Sequence, residues 1–199
     1  MRLSDAEVLP YDFVDFADTV QKYTKDLEKL LADKQEEIRE RNQELDEGVF
    51  KATFDPRRPT VAPSREEVPP HLNFAPMENA AELLTRSAAR YQKALSQKQA
   101  GLSEIQTETL RALNAKLIDS ERKLTNEDGL PRRPWYKHLL YAPGVYSGYG
   151  VKTVPGVREG IEQKKYSEAE QEIVRVAKAL EQESELIDSA AQLVEKGSN

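Results

Sequence analysis

The sequence contains no cysteine. That excludes disulfides, thiol nucleophiles and cysteine zinc sites. It leaves the compartment open, since a disulfide-free domain folds on either side of a membrane. No run of about 18 apolar residues occurs, so no stretch reads as a membrane span. The opening MRLSDAEVLPYDF lacks an apolar core and does not read as a signal peptide. Histidine is scarce: His71 and His138 are far apart, and neither stands in a His-Glu-x-x-His pattern or at metal-ligand spacing from a carboxylate. His71 falls in a polar linker and reads as plain solvated surface. There is no Gly-x-Ser-x-Gly elbow, no Gly-x-Gly-x-x-Gly and no P-loop. Basic excess is missing as well: 29 Lys and Arg against 35 Asp and Glu leave a net charge of -6, where a nucleic-acid binder would show a basic stripe. Paired carboxylates arise by chance at this density and carry no catalytic weight. The residues therefore supply no catalytic set and no metal ligands or cofactor site. They point to contact with neither nucleic acid nor a membrane.

What is present suits long helices. Over 199 residues, 38% are hydrophobic and 32% charged, with a mean hydropathy of -0.72. So polar a chain builds helices with one narrow apolar face and one solvated face of alternating charge. After a lead-in over 1–11, apolar residues at three- and four-residue steps predict a first helix over 12–47, with Phe13, Phe16, Val20, Tyr23, Leu27, Leu30, Leu31 and Ile38 on its stripe. Beyond Leu31 the stripe thins, and that end should project into solvent or lie on a partner. Five prolines mark 48–75 as an extended or disordered linker. A second helix is predicted over 76–99, and a third over 103–124 from a capping box at Ser103–Gln106. A short helix over 157–163 and a last one over 167–196, opened by a capping box at Ser167–Glu170, complete the chain. The fold class is all-α, a four-helix bundle forming a single domain.

One stretch breaks the pattern. Residues 130–156, reading LPRRPWYKHLLYAPGVYSGYGVKTVPG, hold the single Trp, four of the eight Tyr and four of the eleven Pro. With Gly129 counted, they also hold five of the nine Gly. A long ordered loop inside a helical domain is usually functional. Two readings of it stand side by side. In one, Trp135, Tyr136, Leu139, Leu140 and Tyr141 plug the end of the bundle while Pro131, Pro134 and Pro143 set the path. In the other, Tyr146 and Tyr149, set among glycines, are exposed and reach a partner or ligand.

The motif Gly129-Leu-Pro-Arg-Arg-Pro-Trp-Tyr-Lys-His138, followed by Tyr141-Ala-Pro143, Tyr149 and Pro155-Gly156, resembles the transferrin-receptor-like dimerisation domain of glutamate carboxypeptidase II and prostate-specific membrane antigen-like zinc peptidases. The runs Arg2–Asp12 and Asn73–Pro76 are similar to the entries into that domain's first two helices. The resemblance implies a C-terminal domain that makes homodimer contact and lends a loop to a peptide-binding pocket, inactive alone. It implies a di-zinc peptidase domain elsewhere in a longer protein as the holder of the metals and the catalytic base. It further implies a single-pass membrane protein with this domain on the lumenal or extracellular side. By the same likeness, Tyr149 matches a tyrosine that binds the terminal carboxylate of a peptide substrate, and His138 matches a histidine near that pocket. Trp135, Tyr136, Tyr141 and Pro143 match the loop's anchor. Gly148 stands where the carboxypeptidase has a lysine that reads a glutamate side chain, so specificity for glutamate is not implied. Transferrin receptors keep the architecture without peptidase activity, which leaves a non-enzymatic helical adaptor or receptor-type interaction domain as the second reading.

Overall fold

The computed structural model describes residues 7–52, 63–98, 107–146, 148 and 150–196. In chain order the elements are α1 (Phe13–Asp46), α2 (Val49–Ala52), α3 (Ala75–Lys98), α4 (Thr107–Lys123), β1 (Tyr141–Pro143), β2 (Val151–Thr153), α5 (Pro155–Glu162) and α6 (Tyr166–Lys196). The domain is all-α apart from a two-stranded antiparallel ribbon, in which Ala142 pairs with Lys152.

Helix α1 starts where Asp12 caps it, its carboxylate accepting from the amides of Val14 and Asp15. That satisfies two of the four donors a helix start leaves free. At 34 residues it is about 50 Å long. Its buried positions Phe13, Val20, Leu27, Leu31 and Ile38 follow the helical repeat. Helices α3 and α6 form the most extensive pairing, with α1 laid on α3 and α4 on α6. Ala80, Leu84, Ala88 and Tyr91 of α3 and Ile173, Val176, Leu180, Ile187 and Val194 of α6 are all buried in one continuous core. Burial of each such leucine or isoleucine contributes roughly 1.5–3 kcal/mol.

Three local expectations are corrected. Among the described residues of the expected linker, Val49–Ala52 forms a helical turn instead of an extended run, and Leu72 and Phe74 enter the core. The charged end of α1 does not project alone, because residues 65–70 lie along it. Asn42 pairs with both backbone groups of Glu66, Gln35 donates to the carbonyl of Pro69, and Arg41 and Arg65 bond Glu66 and Asp46. A polar stripe therefore continues the apolar one, which an apolar count does not register. Ser167 does not cap α6, since the helix already includes Tyr166. The Ser103–Gln106 box lies outside the described residues.

Candidate functional site

The loop begins with a tight reversal. Gly129 has φ +67, and a Cβ there would meet the Pro134 carbonyl oxygen at 2.3 Å, so only glycine fits. The reversal closes on itself through Leu130 N to Tyr136 O (2.8 Å) and Leu139 N to Leu124 O (2.9 Å). Arg175 of α6 reaches into it, donating to Asn126 Oδ1 (2.9 Å) and Gly129 O (2.8 Å), and Arg132 makes a two-pronged contact with Glu168. The loop is thus seated on α6 by guanidinium groups. In each case one Nη nitrogen spans two acceptors.

The aromatic residues divide. Leu139 and Leu140 are buried and Tyr136 packs half-buried against the core. Trp135 is 73% exposed and does not plug the bundle. Leu130, Arg133 and Tyr136 take the inward positions around it, which turns the indole to solvent. Tyr146 is 84% exposed and Val151 73%, with Tyr141 partly so. These four leave an apolar, ring-rich surface on one loop.

His138 is buried and stacks on Tyr141 at 3.9 Å between ring centroids. Its Nδ1 accepts from the Leu140 amide, so the tautomer carries its proton on Nε2, which stands 3.1 Å from Glu121 of α4. Nδ1 is thus engaged within the domain, while Nε2 lies at ion-pair distance from Glu121 without a hydrogen bond of good geometry. Burial lowers the His138 pKa, with Glu121 opposing, so the ring is neutral near pH 7. The Tyr141 hydroxyl donates to the same Glu121, and that bond pushes its pKa up to about 12.

Under the tip sits a buried ion pair. Arg133 Nη2 meets Glu159 of α5 at 2.7 Å, both side chains being almost wholly enclosed. Arg133 Nη1 also donates to the Pro143 carbonyl, and the second Glu159 oxygen accepts from the Val145 amide at 3.0 Å. The Gly144 amide bonds the Gly150 carbonyl at 2.9 Å, closing the tip. Gly148 lies in it with φ +60, exposed and with nothing near its Cα face. Tyr149 lies outside the described residues. A cleft of about 210 Å³ opens beside the tip between Val145, Tyr146, Lys152, Glu159, Glu162 and Gln163. Among the described residues no group of His, Asp or Glu is arranged to hold a metal ion. Sequence reasoning missed Glu159, Arg175 and Glu121; only Arg133, inside the loop motif, carried a signal.

A family model for the transferrin receptor-like dimerisation domain matches residues 72–188, the segment that holds α3, α4, the loop, α5 and most of α6. The chain belongs to that family. This dimerisation domain is 28% identical over 187 residues to the probable glutamate carboxypeptidase LAMP1 of Arabidopsis thaliana, covering 90% of this chain and 21% of the relative. It is 27% identical to the probable glutamate carboxypeptidase AMP1 of the same plant, covering 93% of this chain and 22% of the relative. A shorter match, 35% identical over 72 residues, covers 36% of this chain and 9% of an inactive zinc metalloprotease of Schizosaccharomyces pombe. The chain thus spans about a fifth of the length of the two plant relatives. The family model describes a dimerisation domain, and the two plant relatives that carry a similar segment are named as probable glutamate carboxypeptidases. No helix among the described residues is long and apolar enough to cross a membrane.

Proposed function

We propose that this domain works inside a longer glutamate carboxypeptidase-like protein, joining two copies and presenting its loop tip to a peptide-binding pocket formed with a peptidase portion. The observation that carries the reading is the exposed set Trp135, Tyr141, Tyr146 and Val151 on a loop otherwise tied firmly to the bundle. A rigid base with an apolar tip suits docking against a second unit, because few rotamers remain to be immobilised. In that pocket Tyr149 holds the terminal carboxylate of a peptide, and the peptidase portion would hold two zinc ions that supply the hydrolytic chemistry. Gly148 offers no side chain, so a C-terminal glutamate gains no charged partner there. The parent is anchored by one membrane span, with this domain lumenal or extracellular.

The test uses the full-length protein loaded with zinc and acetylated dipeptides ending in leucine or glutamate. Tyr149→Phe should raise KM for both, and leucine should be accepted at least as well as glutamate. An unchanged KM would remove Tyr149 from the pocket. Sedimentation equilibrium of the domain addresses the dimer: a strict monomer at high micromolar concentration would place the main dimer contact elsewhere. A second reading, a receptor-type interaction domain on a parent without activity, is favoured by the inactive relative in Schizosaccharomyces pombe. Full-length protein that dimerises yet hydrolyses neither dipeptide would select it.

A further inference from the structure

We infer that Arg133 and Glu159 are positioning residues, a buried clamp that sets where the loop tip is presented; the clamp's consequence for ligands rests on the tip-in-pocket reading above. The geometry is specific. Arg133 lies before the ribbon and Glu159 on α5 after it, yet they meet at 2.7 Å beneath the tip. Each also bonds the tip's root. The guanidinium takes the Pro143 carbonyl, and the carboxylate takes the Val145 amide at 3.0 Å. Pro143 ends β1, and Gly144 carries the position across to Gly150 through its 2.9 Å bond. Two charges thus fix the first strand of the root directly, and the second follows through the Gly144–Gly150 bond and the β1–β2 pairing. Glu159 also lines the 210 Å³ cleft beside Tyr146, so the clamp forms part of the cleft wall.

A pair serving only stability could be replaced by apolar residues of similar volume with little loss, because the cost of desolvating two charges offsets most of their attraction. A positioning pair could not, since Met and Leu make no bond to Pro143 O or Val145 N. That difference defines the experiment. Arg133→Met with Glu159→Leu, made together in this chain, should keep the cooperative unfolding of the helices. Native-state hydrogen exchange should then show the amides of Val145 and Gly144 exchanging about ten-fold or more faster, with those of Leu84 and Ile187 unchanged. Glu159→Gln, which keeps an acceptor for the Val145 amide, should restore much of that amide's protection. In the full-length protein the double variant should raise KM for an acetylated dipeptide ending in leucine by about ten-fold at a kcat within about two-fold. Tip amides that exchange no faster in the double variant would overturn the clamp whatever the kinetics show. Faster tip exchange with an unmoved KM would leave the clamp standing and remove the tip from the pocket. Should the double variant fail to fold, Glu159→Leu alone decides: faster exchange at Val145 and Gly144 relative to Ile187 supports the clamp, and unchanged exchange there overturns it.

Discussion

The α3–α6 pairing and the loop over 124–156 are neighbours held by different means. Between α3 and α6 the contact is mostly aliphatic, from Leu84 and Ala88 on one side to Ile173, Leu180 and Ile187 on the other. Such contact is non-directional and spread over many residues. The loop also sends Leu130, Leu139, Leu140 and Val154 into the core, but it adds a network of addressed bonds, Arg175 to Asn126 and Gly129, Arg132 to Glu168, and Arg133 to Glu159 and Pro143. Area tolerates substitution by degrees. A buried bond network fails abruptly, because removing one partner strands the other.

The contrast can be broken by mutation. Arg133→Ala should be the most damaging single change, costing about 3–5 kcal/mol by denaturant unfolding because Glu159 is left buried and unpaired. Leu180→Ala should follow at about 3 kcal/mol, with an unchanged m-value, since it opens a cavity without touching the loop. If Leu180→Ala costs clearly more than Arg133→Ala, the division between area and address is wrong.

Titration extends the comparison to the α4–α6 contact, because a buried carboxyl there and a buried imidazole in the loop are shifted in opposite directions. Glu183 of α6 is fully buried, accepts one bond from Ser120 of α4, and has its pKa pushed up to about 7 by burial. A carboxyl raised in the folded state supports stability below its unfolded value of about 4.3 and loses that support as pH rises through about 7. Glu183→Gln should therefore flatten the pH dependence between those values and stabilise the bundle by on the order of 2 kcal/mol at pH 8, read from thermal or urea unfolding. His138 runs the other way. Its lowered pKa gives a contribution present above about 6.5 and lost as pH falls through the folded value. Acid should consequently loosen the loop while it strengthens the α4–α6 contact, which hydrogen exchange at Leu139 and at Leu117 can separate. The smallest effect is expected for Trp135→Ala, within about 0.5 kcal/mol, since the ring is 73% exposed. A larger loss would show that the indole is packed in solution.

Helix positions were legible because a stripe at helical spacing must be buried somewhere. Along α6, Ile173, Val176, Ala177, Leu180, Ile187, Ala190, Ala191 and Val194 recur at helical spacing, and all of them lie in the core. That stripe also contained an unread signal. It skips one turn between Leu180 and Ile187, and the turn holds Glu183 and Ser184, both wholly buried. A polar pair in register with an apolar stripe marks a buried polar contact. Glu159 left no such trace, as its partner lies 26 residues away and only folding brings the two together. The lining of α1 by residues 65–70 was hidden for the same reason, its bonds running from Asn42 and Arg41 to a segment rich in proline.

By itself, then, the sequence determined the all-α class, the helix stripes and, through the motif Gly129–His138 with Tyr141–Pro143, membership of the dimerisation-domain family. Those are local features: periodicity acts within one helix, and a motif is a run of neighbours. Tertiary structure alone decided which aromatics face solvent, that His138 is tied to Glu121, and that Arg133 and Glu159 grip the loop root. The pairing of distant charges depends on their being enclosed together, and enclosure is set only when α4, α5 and α6 have closed around the loop.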